Sequence, residues 1–130
     1  MAWKNKPSNF AAEISKSGGD LVKKISAEML QGVIMASPVM DSPFRSNHRV
    51  TIDAPTSETV EGTGNRSPKG SLDQLTFNDG AKEILKAKLG SCVYIQNNIS
   101  YALALENGHS DQAPKGVYAL TFRYISEKYR

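Results

Sequence analysis

Apolar side chains recur along the first third of the chain at Ile14, Val22, Ile25, Met29, Val33 and Ala36, spaced by three, four or eight residues. That period turns one face of a helix toward a core. Ser8, after Pro7, is the expected cap, and Pro38 the expected end, because the residue before a proline avoids the helical conformation. Gly18 and Gly19 interrupt the stripe with Asp20 behind them, which predicts a break or kink and a second cap at Asp20. His48, Val50, Ile52 and Ala54 then alternate with Arg49, Thr51 and Asp53, the period of a strand with one face inward. Asn78 or Asp79 is expected to cap a short helix with Ala81, Ile84, Leu85 and Leu89 on one face and Gly90 as its left-handed stop. Residues 91–97, SCVYIQN, read as a second strand with Val93 and Ile95 inward and Cys92 an inert member of it. In the final segment Tyr118, Leu120, Phe122 and Tyr124 alternate as in a strand, whereas Val117, Thr121, Tyr124 and Ile125 suit a helix; the reading favours helix.

Between the first strand and the second helix, residues 55–76 are rich in Gly, Ser, Thr and Pro and have little to bury, so a long flexible loop is expected there. The pattern as a whole predicts an α+β fold. A helical region at the amino terminus is followed by a small antiparallel sheet with helices packed on it. The 130 residues form one domain, with residues 1–9 as an amino-terminal arm.

Composition alters this picture only slightly. Hydrophobic residues are 39% and charged residues 22%, an ordinary globular balance. No apolar run is long enough to span a bilayer and the start MAWKNKPSNF lacks a signal-like apolar stretch, so no membrane association is expected. One cysteine, Cys92, cannot form an internal disulfide, which suits a reducing cytoplasm. Sixteen basic and thirteen acidic side chains leave +3, scattered along the chain, a mild preference for polyanions.

Chemistry-bearing residues crowd into residues 97–116, NNISYALALENGHSDQAPKG. His109, Ser110 and Asp111 are consecutive, which disfavours triad geometry among them, and no Gly-x-Ser-x-Gly elbow accompanies them. Two histidines, His48 and His109, without HxxxH or CxxC spacing, give no metal pattern. Residues 62–71, GTGNRSPKGS, lack the order of a phosphate loop, leaving Arg66 and Lys69 as residues that could touch a nucleic-acid phosphate. No catalytic, cofactor or metal residue is assigned. A structural reading covers more of the stretch. Asn98 or Ser100 caps a single helical turn, Tyr101 and Leu105 share a face, and Gly108 is a left-handed stop. Pro114-Lys115-Gly116 turns the chain into its last element. Glu106, if buried, must find backbone amides beyond Gly108 as partners.

The order Asn97-Asn98, Tyr101-Ala102, Leu105-Glu106, Gly108-His109-Ser110 and Gln112-Ala113-Pro114-x-Gly116 resembles the closing signature of the tail-completion proteins of long-tailed bacteriophages, the minor tail protein Z-like family. Upstream, Ser37-Pro38-Val39, Asp41 and Phe44-Arg45-x-Asn47 resemble the family's Ser-Pro-Val-Asp-Thr-Gly-Arg-Phe-Arg-x-Asn segment. Here Met40 is inserted before the acid, and Ser42-Pro43 replaces the Thr-Gly-Arg. The likeness covers roughly the whole chain. It implies no enzyme and no cofactor, but a structural protein of the virion neck, made in the host bacterial cytoplasm. Such a protein completes or terminates the tail at its head-proximal end and helps join head to tail. The partners implied are other neck and tail proteins, namely the tail tube or terminator and the head–tail connector. Further copies in a homo-oligomeric ring, with six as one stoichiometry, and genome DNA passing through the lumen complete the set. The motif residues Asn98, Tyr101, Ala102, Glu106, Gly108, Ser110, Gln112, Pro114 and Gly116 are then structural. Trp3, Arg45, Arg66, Lys69 and His109 are candidate assembly contacts, and Phe44 belongs to the core. Two other readings stay open: a small DNA-binding module acting in phage assembly, suggested by the +3 charge, and a hydrolase using Ser110 or Cys92.

Overall fold

A computed structural model describes residues 7–38, 42–57, 59, 72–99, 102, 106–107 and 116–129. Among these, the order of elements is α1 (Pro7–Ala36), α2 (Ser42–Arg45), β1 (His48–Ile52), α3 (Asp73–Ile84), β2 (Val93–Asn97) and α4 (Tyr118–Lys128). The fold is α+β, as the patterning predicts.

The helix α1 runs 30 residues without interruption. It starts at Pro7, not after a Ser8 cap, because proline has the helical φ built in and the first turn needs no N–H from it. The break expected at Gly18-Gly19 is absent. The connection from α3 to β2 crosses there: a Cβ on Gly18 would lie 2.7 Å from Leu89 Cδ1, and one on Gly19 would lie 3.6 Å from the Leu89 nitrogen. The glycines admit a neighbouring backbone, and the packing of Leu89 against them offsets the roughly 1 kcal/mol that each costs a helix. Asp20 therefore lies within α1, exposed. As expected, α1 ends ahead of Pro38.

The inward pattern of β1 is seen in buried His48 and Val50, and its pairing with β2 is antiparallel, with Val50 opposite Ile95. The strand stops at Ile52, because Asp53 turns to φ 66°. Asp53 then clasps the start of β2: its amide donates to the Cys92 carbonyl at 2.7 Å, and its Oδ1 accepts the Cys92 amide at 2.9 Å. Cys92 thus precedes the strand and is exposed, contrary to the expectation of an inert strand residue.

Two boundaries of α3 also differ from the sequence reading. It starts at Asp73, so residues 73–76 are helix rather than loop, and Asn78 and Asp79 lie inside it. Thr76, 3% exposed, faces the core and closes the first turn by donating its amide to the Leu72 carbonyl at 2.9 Å. At the other end Ile84 is the last helical residue, and the Lys86 and Ala87 amides bond three residues back, to Glu83 and Ile84, tightening the chain out of the helix. Leu85 and Leu89 consequently leave the apolar face and stand 71% and 52% exposed. Gly90, at φ +91°, serves the separate Lys88–Ser91 turn.

The core joins Leu30, Val33 and Ile34 of α1 to Phe44, Val50, Ile84 and Val117, with Val93 and Ile95 packed against it. Phe44 is buried there as expected. The helix α4 lies on α1 through Thr121 and Ile125, one turn apart. Tyr124, placed by sequence on that same face, is 65% exposed, since it sits a third of a turn away from Ile125.

Candidate functional site

Among the described residues of the crowded stretch, Asn97, Asn98, Ala102, Glu106 and Gly116 lie at a joint between β2 and α4. A helix start leaves its first amides without partners, and Val117, which precedes α4, offers no side-chain cap. Glu106 supplies one from eleven residues upstream. Its Oε1 accepts the amides of Val117 at 3.0 Å and Tyr118 at 2.6 Å, and its Oε2 accepts that of Ala119 at 3.2 Å. The negative carboxylate also complements the positive end of the helix dipole. Gly116 makes the approach possible. Its φ is +84°, and a Cβ there would lie 2.5 Å from the Glu106 carbonyl oxygen and 2.6 Å from Oε2.

Held by this cap, Tyr118 reaches into the core. Its hydroxyl lies 2.7 Å from His48 Nδ1, and His48 Nε2 lies 2.6 Å from Ser37 Oγ. Ser37 donates its own proton to the Val33 carbonyl at 2.6 Å, so it accepts from Nε2–H. The bonds therefore run one way, Tyr118 to His48 to Ser37 to Val33, with a neutral imidazole in the middle. Burial lowers the pKa of His48 to about 3, helped by the positive charges of Arg45 and Arg49 and opposed by Asp73. Burial, with Glu106 adding to it, raises Tyr118 far above the usual phenol. Phe44 packs edge-on to His48 at 5.2 Å between ring centres.

Around this chain, Asn97 Nδ2 donates to the Phe44 carbonyl at 2.7 Å, and Asn97 Oδ1 accepts the Ile99 amide at 3.3 Å. Asn98 Nδ2 donates to the Thr56 carbonyl at 3.0 Å, while the Thr56 amide donates to Gln96 Oε1 at 2.8 Å. These side chains border a cavity of about 400 Å³ with Ala102, Glu106 and Tyr118. Two polar groups of its lining are held by other parts of the chain: the Tyr118 hydroxyl by His48, and the Glu106 carboxylate by three backbone amides. Together they brace the start of α4.

Of the motif residues, the structure brings Asn98, Ala102, Glu106 and Gly116 together at this joint. Tyr101, Gly108, Ser110, Gln112 and Pro114 lie outside the described residues, as do Trp3, Arg66, Lys69 and His109. Arg45 is not an available contact. It is 6% exposed, gives Asp73 two bonds of 2.8 Å, from Nε to Oδ1 and from Nη2 to Oδ2, and donates from Nη1 to the Ser37 carbonyl at 2.8 Å. The pairing with Asp73 raises its pKa. A fork of fixed donors meeting a carboxylate edge-on is the geometry that arginine satisfies and lysine does not.

His48, expected from sequence as an inward strand residue and as one of two histidines without a metal pattern, is the centre of a network with Ser37 and Tyr118. The alternation of β1 did contain the signal, since an inward histidine has to be satisfied on both nitrogens. Among the described residues no three His, Cys, Asp or Glu side chains are grouped to hold a metal ion. Comparison of the chain with known protein families, curated proteins and solved structures finds no match.

Proposed function

We propose that this chain is a structural protein of a bacteriophage neck, which completes or terminates the tail at its head-proximal end and helps join it to the head, with no chemistry of its own. The observation that carries the reading is the use made of Glu106. The acid of the stretch that resembles the tail-completion signature holds three backbone amides at the start of α4, which suits a residue kept for shape. Asn98 and Gly116, from the same signature, serve the same joint. A subunit that works by contact with neighbours also needs apolar surface to offer. Leu120, Phe122 and Tyr124 on α4 are 46%, 66% and 65% exposed.

The test is electron cryo-microscopy of purified phage particles. A ring of this chain in the collar between head and tail tube is the expected result. Particles that lack it would overturn the reading, and retention of the isolated protein on DNA at physiological salt would then favour the DNA-binding alternative.

A further inference from the structure

Among the described residues the sheet has two strands, β1 and β2, and the phase of their pairing follows from one bond. The Asp53 amide donates to the Cys92 carbonyl directly opposite, so 53 and 92 form a hydrogen-bonded pair, and with the register this makes 51–94 and 49–96 hydrogen-bonded pairs as well. Tyr94 and Gln96 therefore turn their backbone groups to β1. Val93, Ile95 and Asn97 turn theirs to the far side of β2, where no other strand lies among the described residues.

Edges of this kind attract further strands, and proteins blunt them with charge, proline or a bulge. The sequence of β2, Val-Tyr-Ile-Gln-Asn, contains no charge and no proline and is paired without a bulge, whereas β1 carries Arg49. Beside the open edge lies an apolar groove of about 400 Å³, floored by Ile25 and Met29 of α1 and walled by Val93, Ile95, Phe122 and Tyr129. Phe122 is 66% exposed there, and no residue of β2 is fully buried. The arrangement is a strand edge with a slot beneath it for the alternate side chains of one more strand.

We propose that a second copy of this chain fills the slot, its β2 pairing antiparallel with β2 across a twofold axis at Ile95. The strand is its own complement in that register. Val93 meets Asn97 of the second copy, Ile95 meets its counterpart, and the outward groups exchange up to about six backbone hydrogen bonds. Ile95 and Val93 of the second copy fall on the side of the groove, and Tyr94 lies beside Gln96 on the outer face. No charged side chain opposes another along β2, so the pairing has no built-in repulsion. It also turns an isolated pair of strands, marginal by itself, into a sheet of four. The inference does not depend on the tail reading.

Residue-resolved amide exchange of the full chain, with its mass in solution, tests the pairing from micromolar to near-millimolar protein. The expected result is a dimer in which the Ile95, Val93 and Asn97 amides slow by at least about tenfold as concentration rises, while Tyr94 and Gln96 are protected throughout. Ile95→Pro removes an outward N–H without breaking a bond to β1, and is expected to leave a folded monomer. A monomer at every concentration would overturn the proposal. So would a dimer whose Ile95 amide exchanges freely, or a folded Ile95→Pro variant that still dimerises. If that variant does not fold, the exchange pattern of the unaltered chain decides.

Discussion

The Glu106 carboxylate accepts the Tyr118 amide at 2.6 Å, and on that bond depends the direction in which Tyr118 enters the core. A helix cap is worth about 1 kcal/mol, and up to about 2 in a protein host. Because Glu106 takes three amides of which that of Val117 lies in the core, Glu106→Ala should cost about 2–3 kcal/mol in urea unfolding. Glu106→Gln keeps one acceptor oxygen and should cost roughly half as much. Equal losses would show that the shape and single acceptor kept by Gln contribute nothing, and that the cap needs both carboxylate oxygens and their charge.

Gly116 and Glu106 form one device. An alanine at 116 meets both the unfavourable φ of +84° and the Glu106 oxygens at 2.5 and 2.6 Å. The left-handed conformation alone costs about 1–2 kcal/mol, and displacing Glu106 adds the loss of its cap. Gly116→Ala should therefore be at least as damaging as Glu106→Ala, and the double variant should cost clearly less than the sum of the two. Additive losses would mean that the turn and the cap act independently.

The parts legible in the sequence are those fixed by period. The stripe of α1 through Met29 and Val33, the alternation of His48 and Val50, and the inward Val93 and Ile95 all stand where the pattern put them. The acid Glu106 was legible as well, because a buried carboxylate near a helix start has few other partners. What escaped depends on contacts distant along the chain. Gly18 and Gly19 read as a helix break until Leu89 is seen against them. Leu85 and Leu89 continue the apolar period of α3 past its end at Ile84, and nothing local marks that end. Arg45 read as a surface cation because its partner, Asp73, is 28 residues away, in a stretch whose composition reads as loop.

His48 gives the fold a pH dependence of definite sign. In the unfolded chain its imidazole takes a proton near pH 6.5, but in the folded chain burial holds it neutral down to about 3. Its contribution is complete above about pH 6.5. Below that the unfolded chain binds a proton that the folded chain refuses, and stability falls by up to about 1.4 kcal/mol per pH unit until the folded imidazole titrates too. Gln at 48 keeps a donor for Ser37 but does not titrate. The stability advantage of the native chain over His48→Gln should therefore shrink by about 2 kcal/mol between pH 7 and pH 5, measured by urea unfolding. A constant difference would mean that His48 titrates in the folded chain as it does in water.

Arg45 and Asp73 tie α2 to the start of α3. Removing one member of a buried pair strands the other, at a cost of about 3–5 kcal/mol. Since Asp73 is 27% exposed on its side chain, water can partly replace it, and Asp73→Ala should cost about 2–3 kcal/mol. Arg45→Lys should cost a comparable amount although the charge is retained, because an ammonium cannot make both 2.8 Å bonds and also reach the Ser37 carbonyl. If Arg45→Lys proves neutral by calorimetry, charge alone holds the joint.

Gly80 sets two known effects against each other. It lies in the middle of α3, where alanine would favour the helix by about 1 kcal/mol. A Cβ there, however, would collide with Leu30 Cδ2 and lie 3.0 Å from Val50 Cγ2, both of them core residues. Overfilling a packed core costs about 1–3 kcal/mol, and Leu30 has no exposed surface into which to retreat. The packing term should win, so Gly80→Ala should lower stability by about 1–2 kcal/mol despite its better helix propensity. Leu30→Val removes the colliding carbon, and adding it to Gly80→Ala should cost less than it does in the native background. A stabilised Gly80→Ala protein would instead show that α3 can shift away from β1, and that the core between them is looser than the contacts of Leu30 and Val50 imply.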